Sequence, residues 1–300
     1  MAEAKAVILE HRGVLKLGGA DRVDFLQGIV SNDVTRVSPE LAVWTAFLTP
    51  QGKFLHEFFL AGQADTFLID CEAERAADLA RRLKLYKLRA QVTVEAAPDD
   101  FAVAALIGAE ALAKLELPAE PGRSSAFAGG LVFVDPRLPE LGARAILPKA
   151  TARQALSEAG FAPGSLEDYD AIRIAAGVPD GSRDLEIEKS TLLESGFDEL
   201  HGIDWDKGCY MGQELTARTK YRGLAKKRLL PVEIAGPAPE PGAAITRGGK
   251  EIGALRSAVD QAGETSLGLA LLRLEALEDG EALTTGDATV TPRKPAWAKF

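Results

Sequence analysis

The residues with the clearest chemical potential form one short segment in which a lone cysteine stands between two glycines. Residues 207–214 read Lys-Gly-Cys-Tyr-Met-Gly-Gln-Glu. Glycine adopts backbone conformations that other residues avoid, and it lets the main chain approach a ligand closely. The polar run after Gly212 predicts a helix, so Cys209 stands just before a helix N-terminus and two residues after Lys207. Both features favour a reactive thiolate, whereas the alternative is a small buried cysteine that only packs.

The same region is a basic island in an acidic chain. Between residues 207 and 228, seven Lys or Arg accompany one Glu, a local charge of +6, so the other residues must carry −15 to give the net charge of −9. Such an island favours an anionic ligand or partner, although a solvated helix face would look the same. An RNA-binding surface ranks last, because Tyr210 and Tyr221 are the only rings beside these cations.

Cysteine and histidine usage argues against a metal site within this chain. Cys71 and Cys209 stand 138 positions apart, which excludes a Cys-x-x-Cys zinc site, a four-thiolate iron–sulfur site and a disulfide framework. His11, His56 and His201 show no spacing typical of metal ligands. Nucleophile-elbow, Walker and dinucleotide-binding motifs are also missing from the sequence. We therefore predict no metal ligands.

Short strands and hairpins dominate the chain before residue 160. The turn Pro50-Gln-Gly-Lys53 between two apolar runs predicts a hairpin, and Asp21 is placed to cap a short helix ending near Gly28. The predicted strands are Val14–Leu17, Trp44–Thr49, Phe54–Leu60, Thr66–Asp70, Gln91–Glu95, Phe101–Ile107, Leu131–Val134 and Arg144–Leu147. Further helices are predicted over Glu72–Tyr86, Ala109–Leu115 and Thr151–Ala159. This pattern favours an α+β region with antiparallel or mixed sheets.

A capped helix, an irregular segment and a small barrel are predicted for the rest. Ser165–Gly177 opens with a capping residue and closes with glycine. Asp180–Asp206 shows no periodicity, and segments of this kind are often functional. After the Pro-rich run that follows Ala235, short strands predict an antiparallel barrel, namely Ala243–Thr246, Glu251–Leu255, Ser266–Leu272 and Ala288–Pro292.

The first residues resemble neither a signal peptide nor a membrane-spanning segment. Charges interrupt the short apolar run of residues 1–13, and no stretch reaches about 18 apolar residues. We expect a soluble cytoplasmic protein with no membrane partner. The net negative charge argues against a general nucleic-acid binder.

Residues 207–214 resemble the K-G-C-x-x-G-Q-E signature of YgfZ-type folate-binding proteins, which are relatives of the glycine-cleavage T-protein, an aminomethyltransferase. Three further stretches agree in order and spacing: Gly19–Gly28 with Asn32–Val34, Leu48–Lys53, and Arg173–Pro179. The resemblance covers residues 18–228 well and the C-terminal barrel loosely.

The resemblance implies an α+β protein with three domains, arranged as a T-protein-like ring around a central channel and ending in a small antiparallel β-barrel. The expected domains are 1–45 with 165–225, then 46–164, then 226–300. It also implies a tetrahydrofolate-binding accessory protein for iron–sulfur cluster assembly or repair, supporting cluster-dependent enzymes that include tRNA-modifying enzymes. The expected partners are folate, or a one-carbon derivative of it, and iron–sulfur enzymes or cluster carriers.

Individual site residues follow from the same resemblance. Cys209 corresponds to the nucleophilic member of the motif and Lys207 to its polar member. Tyr169 stands where relatives carry an aromatic ring that stacks near folate, and stacking of a pterin on a phenol ring is physically reasonable. The remaining residues expected to bind the cofactor are Gly208, Tyr210, Gly212, Gln213, Glu214 and Arg218.

An enzymatic role is the alternative that the resemblance leaves open. A folate-dependent aminomethyltransferase or demethylase would share the same architecture. No segment matches the S-G-Y-T-G-E type with which true aminomethyltransferases hold folate. The resemblance therefore favours a non-enzymatic or weakly catalytic accessory factor.

Overall fold

The computed structural model describes residues 3–97, 99–261, 264–277 and 282–300. Its contacts divide the chain into two compact units. Unit 1 takes in the chain up to Leu48 together with Leu55–Tyr169 and His201–Met211. Unit 2 takes in Thr49–Phe54, Asp170–Leu200 and the residues described from Gly212 onward. The three-domain division expected from the resemblance remains a prediction.

Strands and helices are interspersed along the described residues, and the last six strands follow one another with no α-helix between them. The strands are β1 (Lys5–Ile8), β2 (Arg12–Gly18), β3 (Val43–Leu48), β4 (Phe54–Gln63), β5 (Thr66–Glu72), β6 (Thr93–Ala96), β7 (Phe101–Ile107), β8 (Ser124–Phe127), β9 (Gly130–Val134), β10 (Ala143–Pro148), β11 (Ala162–Pro163), β12 (Lys227–Ala235), β13 (Ala244–Arg247), β14 (Lys250–Asp260), β15 (Thr265–Arg273), β16 (Leu283–Thr285) and β17 (Ala288–Pro292). The α-helices are α1 (Arg22–Gln27), α2 (Ala76–Tyr86), α3 (Ala111–Lys114), α4 (Ala152–Glu158), α5 (Leu166–Ala175) and α6 (Gln213–Tyr221).

Unit 1 contains two sheets. One has the strand order β3-β4-β5-β2-β6, and the other has the order β11-β1-β7-β10-β9-β8. The strand pairs for which a register is defined in these sheets are antiparallel except β1 with β11. The expected α+β class with antiparallel or mixed sheets is therefore confirmed.

The first sheet buries one face against α1 and α2. Leu15 and Ile69 stand opposite each other on β2 and β5, and both are buried together with Leu79 and Leu83 of α2. Side chains alternate between the two faces of a strand, and residues three or four apart lie on one face of α2. These apolar side chains therefore lie on facing surfaces. The second sheet has its own apolar cluster, which includes Leu106, Leu147 and Phe161.

A cluster of buried charges joins the two sheets within unit 1. Asp70 of β5 accepts hydrogen bonds from Arg12 Nε of β2 at 2.7 Å and from Arg144 Nη2 of β10 at 2.6 Å. Glu57 of β4 pairs with Arg12 and accepts from Trp44 Nε1 at 2.6 Å. Because each carboxylate is paired and hydrogen-bonded, the desolvation cost of burial is offset.

Unit 2 contains α5, α6 and the barrel. Among the described residues, the strands close in the order β12-β15-β14-β13-β16-β17, with β17 pairing back to β12. The barrel interior is filled by an apolar cluster that includes Leu230, Val232, Leu255 and Leu272. The antiparallel barrel predicted from the sequence is confirmed.

The Arg173–Pro179 stretch braces α5 against the barrel. Arg173 donates to Asp170 at 2.5 Å, to Asp184 at 2.7 Å and to Ser257 of β14 at 3.3 Å. Ser257 in turn donates to Asp184 at 2.6 Å. This part of the family-like pattern is thus explained by packing within unit 2.

Two local expectations differ from the structure. Asp21 is the N-cap residue of α1, but its side chain makes no capping hydrogen bond and accepts from Gln91 N instead. Strand β12 was not predicted, because its Lys-Arg start belongs to the basic island and Pro231 stands within the strand.

Candidate functional site

Lys207 fixes the start of the cysteine segment in unit 1. Its Nζ donates to the backbone oxygens of Val30 at 2.6 Å and of Asn32 at 2.7 Å. Burial lowers the pKa of Lys207 to about 8, while the charges of Asp33 and Asp204 act in the opposite direction. The ammonium group therefore holds the loop onto the segment after α1.

Asn32 and Gln27 brace this loop, a role that sequence reasoning did not assign to them. Asn32 Nδ2 donates to the oxygens of Trp44 and His201, both at 2.7 Å. Gln27 donates to Asp33 at 2.9 Å and reaches Lys207 O at 3.5 Å. Both residues belong to the stretches that carried the family resemblance, and that was the signal that could have identified them.

Cys209 is exposed, and the glycine before it has a left-handed backbone. Gly208 has φ +93°, and a Cβ atom at this position would meet no atom within 4 Å. Glycine is therefore required there by conformation and not by crowding. Cys209 is a free thiol accessible to solvent, so the structure excludes the alternative of a buried packing cysteine.

Cys71 provides the contrast within the same chain. It lies in β5 with 1% of its surface exposed. Burial raises the pKa of the Cys71 thiol to about 12. Cys71 is therefore an inert core residue.

The segment returns to the core of unit 1 directly after the cysteine. Tyr210 is 8% exposed, and Lys207 Nζ lies 5.4 Å from the centre of its ring. Met211 N donates to Gly28 O at 3.2 Å. The exposed Gly208-Cys209 pair is thus held between two anchored residues.

The last part of the motif lies in unit 2 and opens α6. Gly212 is the N-cap residue with φ +79°, Gln213 is the first helical residue, and Glu214 lies in the first turn. A Cβ atom on Gly52 would lie 2.7 Å from Gly212 O and from Leu215 Cβ. The Leu48–Lys53 and 207–214 stretches are therefore linked by a close backbone approach at Gly52.

Acidic partners neutralise part of the basic island. Arg228 is buried and pairs with Glu199, and Lys220 lies 3.3 Å from Asp198. Arg218, Arg222 and Lys226 remain exposed in unit 2. The island is therefore a smaller cationic surface than its sequence indicates.

Tyr169 lies in the buried charge cluster of unit 1. It is 1% exposed, and its hydroxyl accepts from Arg137 at 3.1 Å and from Arg144 at 3.3 Å. Arg137 is itself paired with Asp135. The structure thus gives Tyr169 a packing and hydrogen-bonding role, and its stacking against a pterin stays a prediction.

A cavity of about 240 Å³ opens in unit 1 beside the bracing residues. Its lining includes Asn32, Arg36, Trp44 and His201. His201 has φ +59°, a conformation that costs energy for a residue with a side chain. Asn32 contributes to this cavity and also holds Lys207, so the two features share a residue.

No group of three or more His, Cys, Asp or Glu residues within the described ranges is arranged to hold a metal ion. In the same ranges, no helix is long and apolar enough to cross a membrane.

Comparison with solved structures shows the fold. The structure superimposes on the glycine cleavage system aminomethyltransferase T from Bartonella henselae with a TM-score of 0.79, covering 99% of this chain and 87% of the other at 16% identity. Residues 226–300 match the family model described as the CAF17 C-terminal beta-barrel domain. The T-protein-like fold class is confirmed.

Comparison with curated proteins decides the family. The mouse mitochondrial iron–sulfur cluster assembly factor IBA57 is 31% identical, and the match covers 96% of this chain and 84% of the relative. The human mitochondrial protein of the same name is 34% identical over 90% of this chain and 78% of its own length. The chain belongs to the IBA57 family. A fungal IBA57 homologue from Mycosarcoma maydis is 32% identical over 78% of this chain.

IBA57 membership confirms one expectation and corrects another. The relatives carry the iron–sulfur assembly role in their names, as expected from the motif. The expected cytoplasmic location is wrong, because the named IBA57 relatives are mitochondrial.

Proposed function

We propose that this chain is an iron–sulfur cluster assembly factor that acts on iron–sulfur proteins through Cys209 and, like the YgfZ-type proteins its motif resembles, binds tetrahydrofolate. The observation that carries the proposal is the contrast between its two thiols. Cys209 is exposed on a loop anchored by Lys207, whereas Cys71 is buried. The assembly role named for the IBA57 relatives supports the same conclusion.

One accessible thiol limits what the chain can do to a cluster. A thiolate is the form that ligates iron and attacks sulfur. The chain offers one cysteine side chain on its surface, Cys209, so it can supply at most one cysteine ligand to a cluster. The remaining ligands must come from the protein that receives or delivers the cluster. This division of ligands suits an accessory factor.

The folate part of the proposal rests on the family resemblance and on a partial fit in unit 1. Pockets for ligands of this size usually measure about 300–1,000 Å³, and the cavity at Asn32 measures about 240 Å³. It therefore suits the pterin ring and not the whole molecule. Arg36 and His201, which are exposed, would supply polar contacts, and Leu41 an apolar wall. Tetrahydrofolate is a carrier of one-carbon units.

Folate-dependent transferase activity is not favoured. The named relatives are assembly factors, and the shared aminomethyltransferase fold at 16% identity shows architecture alone. Enzymes that contain clusters, including tRNA-modifying enzymes, are the proposed clients.

Deletion of the gene followed by complementation tests the assembly role. We expect deletion to lower the iron and sulfide bound to cluster-dependent enzymes, and the intact chain to restore them. Unchanged cluster content would refute this role.

Calorimetric titration of the purified chain with tetrahydrofolate tests the second part separately. Arg36→Ala, an exposed change at the cavity, is expected to weaken binding more than Lys250→Ala, an exposed change in the barrel. If the intact chain releases no heat of binding, the folate proposal fails and the assembly proposal stands.

A further inference from the structure

The end of α2 carries an exposed surface that combines leucines with positive charge. Residues 81–89 contain five Lys or Arg and no Asp or Glu. Leu85 is 63% exposed, Tyr86 42% and Leu88 86%. They are three of the seven large exposed hydrophobic residues found within the described ranges. Clustering of this kind marks an interaction site more often than scattered exposure does.

Leu88 combines an unfavourable backbone conformation with an exposed side chain. Its φ is +44°, a left-handed conformation that costs roughly 1–2 kcal/mol for a residue with a side chain. The side chain of Leu88 is almost fully exposed, so no burial of apolar surface within the chain offsets this conformational free energy. Within the described ranges, the other non-glycine residues at positive φ are Ala64, Glu116, Ala128, Glu188 and His201, so Leu88 alone combines this conformation with a large aliphatic side chain.

The turn that presents Leu88 is well defined. Ala90 N donates to Lys87 O at 2.7 Å, and Lys87 Nζ donates to Val92 O at 3.0 Å. Tyr86 packs edge-on against Phe47, with 5.8 Å between the ring centres. The exposed leucines are therefore pre-organised, which lowers the entropy cost of binding a partner.

The cations around the leucines select an anionic partner. Asp78 takes up part of the charge through Arg81 and Arg82. Lys84 and Arg89 are exposed, and no ion pair is found for either within the described ranges. A cation at the end of α2 also suits the helix dipole, but the dipole does not explain exposed leucines.

We propose that Leu85, Tyr86 and Leu88, with Lys84 and Arg89 beside them, form a docking surface for an acidic face of a partner protein. A protein is favoured over an anionic membrane, because the rest of the chain carries −14 and would be repelled by an extended negative surface. RNA is disfavoured because only one ring is present. This surface goes beyond the proposed function and does not depend on Cys209.

Site-specific photo-crosslinking in cells tests this surface in the full chain. The probe is p-benzoylphenylalanine at position 85, and the same group at exposed position 250 is the control. We expect a product at position 85 that is absent at 250, and whose partner peptide lies on a face rich in Asp and Glu. Cross-linking to lipid, RNA or a second copy, or no product beyond the control, would overturn the proposal.

Variants then separate docking from folding. The double change Lys84→Glu and Arg89→Glu places negative charges opposite an acidic partner. We expect it to reduce the product by about tenfold or more, which corresponds to about 1.4 kcal/mol of binding free energy or more. The matched control is Lys250→Glu with Lys299→Glu, which reverses exposed charges elsewhere.

Leu88→Asn should also reduce the product while leaving the melting temperature equal or higher, because Asn tolerates positive φ. Cys209→Ser should leave the product unchanged, so a failure of the docking surface can be distinguished from a failure of the proposed function. A product that survives both the charge reversal and Leu88→Asn would refute the docking surface.

Discussion

At the residue scale, the proposed function centres on the Cys209 thiol, whose environment the sequence predicted only in part. The glycine-flanked motif identified Cys209 as the residue of interest, and the structure shows it exposed. The partners of Lys207 could not be predicted, because Val30 and Asn32 lie more than 170 positions earlier. The sequence also gave no measure of how deeply Tyr169 is buried.

The two thiols should react very differently with N-ethylmaleimide. In the native chain we expect one thiol to be modified, and Cys209→Ser to abolish the modification. Cys71→Ser is the matched control and should leave it unchanged, because Cys71 is buried with a pKa raised to about 12. Mass spectrometry of the intact chain measures this, and modification of two thiols without denaturant would contradict it.

Lys207 should titrate near pH 8. Burial lowers its pKa from the usual 10.5, so the charged form opposes folding below pH 8, and this cost is relieved as the pH rises towards 10.5. Asp33 raises the pKa of Lys207, so Asp33→Asn should lower it further, whereas Asp206→Asn is the control. NMR of 15N-lysine-labelled chain measures the midpoint. A midpoint near 10.5 would show that the ammonium is not buried.

At the element scale, strand and helix positions were predicted well where the hydrophobic period was clear. Phe101–Ile107 and Ala288–Pro292 were predicted with the bounds that the structure has. The strands Lys5–Ile8 and Lys227–Ala235 were not predicted. The first is short, and the second begins with two charged residues and contains Pro231. Hydrophobic periodicity and residue propensity do not reveal which strands are joined by buried ion pairs.

Asp70 should be one of the most sensitive positions in unit 1. It links β5 to Arg12 of β2 and Arg144 of β10. Asp70→Asn leaves buried arginines with too little negative charge, so we expect a loss of about 3–5 kcal/mol in the free energy of unfolding. Urea denaturation measures it, with Asp65→Asn in the exposed turn before β5 as control. Equal stabilities would show that the cluster is not needed.

The same carboxylate should make unit 1 sensitive to acid. Burial alone would raise the pKa of Asp70, but Arg12 and Arg144 hold it below its usual range. The contribution of Asp70 to stability is therefore fully present above the pKa that its carboxyl has in the unfolded chain. It is lost as the pH falls through the lower pKa of the folded state. The difference in stability between the intact chain and Asp70→Asn should narrow at low pH.

Gly52→Ala should cost more than conformational strain alone. Gly52 has φ +77°, and the new Cβ would lie 2.7 Å from Gly212 O. Gly249→Ala is the matched control, because its φ is +80° and its surroundings are open. We expect a loss of roughly 1–2 kcal/mol for the control and a larger one for Gly52→Ala. Equal losses in thermal unfolding would mean that the Thr49–Phe54 turn and α6 do not pack closely within unit 2.

At the whole-molecule scale, the fold class could be predicted from the sequence, whereas the IBA57 family itself and the charge distribution could not. The motif and three short stretches sufficed to predict a T-protein-like fold, which the Bartonella henselae aminomethyltransferase T structure confirms. Summing charge along residues 207–228 overestimated that surface, because Glu199 and Asp198 neutralise Arg228 and Lys220. The exposed Leu85 and Leu88 at the end of α2 were not predicted, because the spacing of apolar residues in an amphipathic helix does not show which of them stay in water.

We have proposed that this IBA57-family chain supports cluster assembly through the exposed thiol of Cys209. The most direct measurement is the iron and sulfide content of cluster-dependent enzymes in deletion cells that express the intact chain, Cys209→Ser or Cys71→Ser at equal levels. We predict full cluster content with the intact chain and with Cys71→Ser, and content near that of the deletion with Cys209→Ser, although all three chains are folded. Full cluster content with Cys209→Ser would show that the exposed thiol is not required for cluster assembly.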